Sequence, residues 1–329
     1  MGSLMEALKA ALRPAAGDTP DGAAPLPLVP PLAALPPEAW QQAYGDNPAA
    51  AGRARPHAPP AVEELELELL LEGTYQLHGH DFRGHERAPV RRKLEAVMAE
   101  LGLATLSALQ DRVLHDPAAA SVVLSALYVA PAQMFDDPQE AALLRMSLGV
   151  CLYGAALPRI WLADCAGAAQ AWTMAILLDQ EQVGTQTEIY ATVASDEQLE
   201  EAQQASLPLD RLTELQENYV RSGGSGRLLD YFEVDGNRAV LLPQLRSRIT
   251  WAQYNLVTDS SFNEFQLILC RRAMADYGPA LRQRVLHLFH DSLAPFGMLA
   301  LDRPLDADDP MARLYQPVFP QQPWYKRTA

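Results

Sequence analysis

Apolar residues recur every three to four positions between residues 61 and 148, which is the spacing of one helix face. The clearest example is Pro89–Leu101, where Val90, Leu94, Val97 and Leu101 fall on one side. The same spacing predicts four more helices, at Glu63–Glu72, Leu106–Leu114, Ala118–Leu127 and Gln139–Leu148. The pattern therefore predicts a small all-helical domain over residues 61–138.

Beyond Leu148 the pattern changes to short apolar runs that alternate with helical segments, which is typical of a parallel sheet covered by helices. Five strands are predicted, at Arg159–Cys165, Glu188–Ala194, Ile249–Val257, Glu264–Cys270 and Gly297–Leu301. Helices are predicted at Ala168–Leu178, Glu197–Gln204 and Pro279–Leu293. The segment Tyr219–Leu242 breaks the alternation with glycine-containing turns, so we expect a small antiparallel insertion there. The fold class is thus α/β over residues 139–329.

Residues 1–60 differ from the rest of the chain, because they contain 12 of its 26 prolines. Proline fixes φ and removes a backbone donor, so such a segment cannot continue a helix or a sheet. We expect a mostly disordered extension. At its start, Leu4, Met5, Leu8 and Leu12 have helical spacing, and this short segment is either a docking peptide for a partner or a frayed chain start.

The net negative charge of the chain limits the classes of partner that it can bind. The chain carries 26 basic and 41 acidic side chains, for a formal net charge of -15. Nucleic acids and anionic membranes are polyanions that require a basic surface, so we expect neither as the main partner. Three cysteines predict no disulfide framework and no zinc motif. No apolar run has the length of a membrane span and no signal peptide is recognisable, so the sequence predicts a cytoplasmic protein.

Sheets of this type bind ligands at the carboxyl ends of their strands, which makes those ends the candidate site. A nucleotide-type ligand is expected to meet a glycine-rich turn after the first strand and an acid at the end of the second. Here the first turn, Asp164–Gln170, has a single glycine, and the second strand ends in Thr192–Ser195 without an acid. Neither feature is present.

Five separated motifs between Tyr75 and Arg327 resemble the CheR family of chemotaxis receptor methyltransferases. They are Gly79–Arg83, Gln133–Pro138, Ile160–Cys165, Asn255–Asp259 with Phe265–Arg271, and His290–Gly297. Members of the family move a methyl group from S-adenosylmethionine (SAM) to receptor glutamates. The resemblance implies a helical domain that helps grip the receptor, a Rossmann-like SAM-binding domain and a β-subdomain, here Tyr219–Leu242, which in some members binds a receptor tether.

The junction between the two domains departs from the family pattern. The family places polar residues where this chain has Ala130, Ala132 and Gln133. It also places an arginine, beside SAM and the reacting group, where this chain has Asp136. We expect an acid at that position to repel an incoming glutamate carboxylate.

The strand ends depart in the same way. Gln170 replaces a carboxylate that would hold the amino-acid portion of SAM, and Val193 replaces the ribose-binding aspartate. Arg272 replaces an asparagine after the fourth predicted strand. Asn255 and Leu256, which the resemblance places near the adenine, are retained.

These substitutions predict a pseudoenzyme. A lost charge-assisted hydrogen bond costs about 1.5–3 kcal/mol, so the loss of two acids weakens SAM binding by about three orders of magnitude. We therefore expect no catalytic residues and no cofactor, with SAM or S-adenosylhomocysteine bound weakly if at all. The expected partner is a protein, such as a chemoreceptor or another component of a chemosensory assembly.

Three alternatives remain open from the sequence. The first is an active SAM-dependent protein-glutamate methyltransferase. The second is a pocket remodelled for a small anionic ligand, because Arg271 and Arg272 add positive charge at a strand end. The third is a structural scaffold that the proline-rich extension tethers to a larger assembly.

One cationic cluster stands out on this acidic chain: Arg83, Arg87, Arg91, Arg92 and Lys93. It is either a solvated helix face or a docking surface for an acidic protein helix. His78, His80 and His85 lie close to it in sequence, but they offer no tetrahedral ligand set, so the sequence predicts no metal site.

Overall fold

The computed structural model describes residues 61–130, 132–183, 186–306 and 308–328. The predictions for the extension 1–60, including its amphipathic start, lie outside these residues. From Ala61 onward the chain clusters as one unit, in which a helical domain contacts a larger α/β domain. Within the described ranges, no helix is long and apolar enough to cross a lipid bilayer.

Four helices form the first domain: α1 (Val62–His78), α2 (Arg87–Leu101), α3 (Leu106–His115) and α4 (Pro117–Leu127). Their buried faces meet in one apolar core that includes Leu71, Leu94 and Leu109. α1 extends past its predicted end and is closed by Gly79, which adopts the left-handed conformation and donates its N–H to the Tyr75 carbonyl oxygen. The predicted helical domain is confirmed.

The α/β domain contains a seven-stranded sheet and a separate three-stranded sheet. In chain order its elements are α5 (Pro138–Leu152), β1 (Arg159–Leu162), α6 (Ala169–Gln180), β2 (Glu188–Val193), α7 (Asp196–Gln203), β3 (Leu207–Pro208), α8 (Leu209–Arg221), β4 (Phe232–Asp235), β5 (Arg238–Leu241), α9 (Pro243–Arg246), β6 (Ile249–Gln253), β7 (Phe265–Cys270), α10 (Pro279–Ser292), β8 (Leu293–Leu301), β9 (Tyr315–Pro317) and β10 (Trp324–Arg327).

The strand order in the large sheet is β6, β2, β1, β7, β8, β10, β9. The first five strands are parallel and are those predicted from the sequence. β10 is antiparallel to both of its neighbours. The sequence pattern does not predict β9 and β10, because both are short and lie among prolines. The predicted α/β class with a mainly parallel sheet is confirmed.

Alternation along β1 directs its side chains to two apolar cores. Ile160 and Leu162 pack with α5 and α6 on one face of the sheet, and Trp161 packs with α10 on the other. The Trp161 indole donates to Thr192 Oγ1 at 2.9 Å, which ties β1 to β2 near their carboxyl ends. The strand ends that carry the candidate site therefore rest on a rigid, fully packed layer.

The predicted antiparallel insertion is present, in the strand order β3, β5, β4. It begins at Leu207, earlier than predicted, and it includes the unpredicted helix α8. Leu212, Leu215 and Tyr219 form the buried face of α8. Charged residues on its other face, and the glycines that follow it, obscure this helical spacing in the sequence.

The helical domain contacts the α/β domain through the segment that leads into α2. Glu86 donates its N–H to the Asp276 carbonyl oxygen at 2.7 Å, and Gly278 donates its N–H to the Gly84 carbonyl oxygen at 2.9 Å. Lys93 Nζ lies 2.6 Å from the Asp276 carboxylate. These contacts hold the helical domain against the carboxyl ends of the parallel strands.

Candidate functional site

A cavity of about 70 Å³ lies between the helical domain and the carboxyl ends of the parallel strands. The helical side contributes Phe82 and Tyr128, among other residues. The strand side contributes Asp164 after β1, Asn255 after β6 and Tyr277 after β7. The predicted location of the candidate site at the strand ends thus corresponds to a cavity that both domains enclose.

Tyr128 separates this cavity from a wider groove. Its hydroxyl hydrogen-bonds to His80 Nδ1, and both side chains line both spaces. The groove has a volume of about 330 Å³ and is also bounded by Gly167 after β1 and by Glu197 and Glu201 of α7. The contact between Tyr128 and His80 therefore lies where the cavity and the groove adjoin, and Val129 also lines both of them.

Asp164 is not among the predicted site residues, although it follows the buried strand β1 almost directly. Its backbone has a φ of 56°, and its N–H donates to Thr192 Oγ1 at 3.3 Å. Burial raises the pKa of its carboxyl to about 6. Among the described residues, no group donates a hydrogen bond to this carboxylate. The available signal was an acid at the end of an otherwise apolar strand.

His85 is a second polar group of the cavity that lacks a partner. Its Nδ1 atom is buried and has no hydrogen-bond partner in the described part of the chain. Burial lowers the pKa of His85 to about 4, so the imidazole is neutral at pH 7. Its ring packs edge-on against Tyr277 and Phe82, with ring centroids 5.0 and 5.2 Å away.

The eight positions that the resemblance assigns to SAM do not share one space. Asn255 and Leu256 line the strand-end cavity. Val193 is fully buried in the sheet core, and Ala130 is exposed. Four others line a separate pocket of about 40 Å³: Ala132, Asp136, Gln170 and Arg272. A ligand as large as SAM would have to bridge both spaces to meet all of these positions.

Two of the substituted positions form an ion pair. The Arg272 guanidinium lies 2.5 Å from the Asp136 carboxylate, which also accepts the N–H of Gln133 at 3.2 Å. Arg272 thus supplies positive charge close to the position where the family has its own arginine. The expected repulsion of a carboxylate by Asp136 is weakened, because Asp136 carries a counter-ion.

Arg271 forms a hydrogen bond and two ion pairs within the chain. It donates to the Leu301 carbonyl oxygen and lies 3.6 Å from the Asp137 carboxylate and 3.5 Å from the Glu140 carboxylate. Burial raises the pKa of Glu140, and Arg271 opposes part of that shift. Arg271 and Arg272 both form ion pairs with carboxylates of the same chain. The structure therefore offers no support for the alternative of an anionic ligand held by these two arginines.

The retained residues Asn255 and Leu256 have a structural role in this chain. Asn255 Oδ1 accepts the N–H of Val257 at 2.9 Å, and the N–H of Asn255 donates to the Asp259 carboxylate at 2.9 Å. This side-chain bond to the backbone two residues on is an Asx turn. Leu256 is buried beneath the turn. The identity of Asn255 is therefore accounted for without a ligand.

The cationic cluster is mostly paired within the chain. Four members form ion pairs with carboxylates of the same chain: Arg83 with Glu72 and Asp81, Arg87 with Glu64 and Glu68, Arg91 with Glu63 and Glu64, and Lys93 with Asp276. Arg92 is exposed and has no ion pair among the described residues. The acidic helix that this cluster mainly meets is α1, and docking of an acidic partner on the cluster stays a prediction.

The three neighbouring histidines point to different surroundings. His78 Nε2 lies 3.4 Å from the Val113 carbonyl oxygen, His80 bonds to Tyr128, and His85 packs on Tyr277. Over the residues that the structure describes, no group of three or more potential metal ligands comes together.

Two family models match the chain. The model described as CheR methyltransferase, SAM binding domain, matches residues 144–303. The model described as CheR methyltransferase, all-alpha domain, matches residues 65–128. The two matches fall on the α/β domain and on the helical domain, respectively.

Individual proteins show the same relationship. A Pseudomonas putida protein named as a methyltransferase, Cher3, is 33% identical over 238 residues, which are 72% of this chain and 87% of that protein. A chemotaxis protein methyltransferase of Listeria innocua is 28% identical over 43% of this chain and 51% of its own length. The solved structure of the glycopeptide N-methyltransferase MtfA with sinefungin matches at 16% identity and a TM-score of 0.31, over 53% of this chain and 56% of its own. The family models and the P. putida relative establish that this chain belongs to the CheR methyltransferase family.

Proposed function

We propose that this CheR-family protein does not transfer methyl groups and acts by binding another protein, in the cytoplasm, in a bacterial chemosensory or related pathway. The divided cleft carries the proposal, because the contact between Tyr128 and His80 leaves a cavity of only about 70 Å³ at the strand ends. Clefts for drug-sized ligands have volumes of roughly 300–1,000 Å³. SAM joins an adenosine to a methionine, so we expect it not to fit a cavity of this volume.

The charges that would hold SAM are also missing from the cavity. The amide of Gln170 lines a different pocket, and the side chain of Val193 faces the sheet core. Without two charge-assisted hydrogen bonds, we expect SAM affinity to be lower by about three orders of magnitude. Methyl transfer depends on holding donor and acceptor in line, so a poorly held donor reacts slowly.

Exposed apolar side chains at the end of α5 support the protein-binding part of the proposal. Met146 and Val150 lie one turn apart on α5, Tyr153 is the residue that ends the helix, and Leu157 lies in the segment after it; the four are 56–90% exposed. Contiguous exposed apolar side chains commonly mark protein contact sites. The chemosensory pathway is proposed because the L. innocua relative is named as a chemotaxis protein.

An active protein-glutamate methyltransferase is the second candidate, and the adjoining groove favours it. Glu197 and Glu201 line the groove of about 330 Å³ on the other side of Tyr128. If Tyr128 changed its rotamer, the cavity and the groove would join, and these carboxylates would be available to the hydroxyl groups of a ribose. This candidate requires that the binding energy of SAM offsets the energetic cost of changing the Tyr128 rotamer.

Calorimetric titration of the full-length protein with SAM and S-adenosylhomocysteine separates the two candidates. We expect no binding of either ligand at high micromolar concentration. Tyr128→Ala, which joins the two spaces, should bind SAM more tightly than the wild type, whereas Tyr153→Ala, at an exposed position, should not. Micromolar binding of SAM by the wild type, together with transfer of labelled methyl groups to a chemoreceptor segment, would overturn the proposal.

A further inference from the structure

The strand-end cavity presents one uncompensated carboxylate. Among the described residues that line it, Asp276 is paired with Lys93 at 2.6 Å, and Asp81 is paired with Arg83 at 2.8 Å. Asp164 has no such partner. Asp164 is half-buried at the cavity wall, and a partly desolvated carboxylate without a counter-ion or hydrogen bond favours a ligand that brings positive charge.

The backbone at Asp164 adds an independent observation. Its φ of 56° lies in the left-handed region, which aspartate tolerates better than most residues but at a cost. Residues held in such conformations concentrate at binding and active sites. The fold therefore keeps an acid at a strained position that faces the cavity.

The rest of the wall suits an organic cation. Phe82, Tyr128, Tyr254 and Tyr277 all line the cavity. Aromatic ring faces attract ammonium groups, and cages of such rings recognise alkylated ammonium ions. His85, which is neutral at pH 7, has a buried Nδ1 without a partner and offers a further hydrogen-bonding atom.

We propose that this cavity binds a compact alkylammonium ion, with Asp164 as its counter-ion and the surrounding aromatic rings as its apolar wall. A volume of about 70 Å³ accommodates a protonated amine with a short alkyl chain. This cavity is part of the cleft discussed under the proposed function. The inference rests on that proposal in one respect, because it requires that SAM does not occupy the cavity.

The test uses propylammonium chloride as the probe, with the neutral isostere 1-propanol as its control. Binding to the full-length protein is measured at pH 7.5 and constant ionic strength by saturation-transfer NMR. We expect propylammonium to bind with a dissociation constant in the millimolar range, and 1-propanol to bind at least about tenfold more weakly.

Variants identify the counter-ion. Asp164→Asn should weaken propylammonium binding by about tenfold or more, because it removes a hydrogen bond to a charged group. Asp111→Asn, at a surface site where the side chain is 75% exposed, should leave binding unchanged. Thermal unfolding of both variants establishes that they are folded before binding is compared.

Three results would overturn the inference: no binding of propylammonium to the wild type, equal binding of 1-propanol, or unchanged binding to Asp164→Asn. The titration with SAM is read separately. Micromolar SAM affinity would reject the proposed function, whereas the inference is decided by propylammonium and its two controls.

Discussion

At the scale of single residues, Asp164 makes the stability of this protein depend on pH. Its folded-state pKa of about 6 lies above the value of about 3.9 for an unfolded chain, so the folded state binds the proton more tightly. Burial of the charged form therefore costs stability above pH 6, and the cost disappears below about pH 4. We expect Asp164→Asn to raise the free energy of unfolding by roughly 1–3 kcal/mol at pH 8 and by nothing at pH 4.

Urea unfolding of wild type and variant at both pH values measures this effect. His85 gains a proton over the same range, with a folded-state pKa of about 4, but it does so in both proteins and cancels in the comparison. An equal gain from Asp164→Asn at pH 8 and pH 4 would show that the carboxylate is not strained by burial.

Phe296 is a second residue in the left-handed region, with a φ of 62° and a side chain that is 61% exposed. Phe296→Gly should stabilise the protein by about 1 kcal/mol, because glycine adopts this conformation without steric cost. Phe296→Ala is the control, since it removes the ring but keeps the strain. Equal melting temperatures for the two variants would contradict the prediction.

At the scale of elements, Arg271 joins the end of β7 to the start of α5 through Asp137 and Glu140. Arg271 and Glu140 are each only 17% exposed, so Arg271→Met leaves a buried carboxylate without its partner. We expect a loss of about 3 kcal/mol at pH 8, measured by urea unfolding. The loss should be smaller at pH 5, because burial already raises the pKa of Glu140 and protonation then removes its charge.

The matched control is the next residue. Arg272 and Asp136 are 42% and 33% exposed, and an ion pair this open to water contributes about 0–1 kcal/mol. Arg272→Met should therefore destabilise the protein far less than Arg271→Met. Similar losses from the two variants would mean that burial does not govern these pairs.

The secondary-structure elements also show which features of the fold can be predicted from the sequence and which cannot. The alternation of β1 and the helical spacing of α2 are local, so the sequence predicts both, together with the location of the site at the strand ends. The pair between Asp136 and Arg272 joins positions far apart in the chain, and a single sequence does not reveal it. For Asp164 the sequence shows an acid at the end of an apolar strand, but its lack of a hydrogen-bond partner depends on the folded surroundings.

At the scale of the whole molecule, the helical domain completes the site. Residues on both sides of the contact between Gly84 and Gly278 line the strand-end cavity, with His85 on one side and Tyr277 on the other. His85 and Tyr277 also form an isolated antiparallel bridge. The volume and polarity of the cavity therefore depend on how closely the two domains approach.

Gly278 sets that approach, because a Cβ atom there would lie 2.7 Å from the Gly84 carbonyl oxygen. Gly278→Ala should force the domains apart, with a loss of about 1–3 kcal/mol in the free energy of unfolding. Hydrogen exchange at the Glu86 amide, which donates to Asp276 across the interface, should become faster. Gly149→Ala is the control, since its Cβ meets open space on α5 and should stabilise that helix by about 0.5–1 kcal/mol. Unchanged protection of the Glu86 amide in Gly278→Ala would show that the domains approach less tightly than these contacts require.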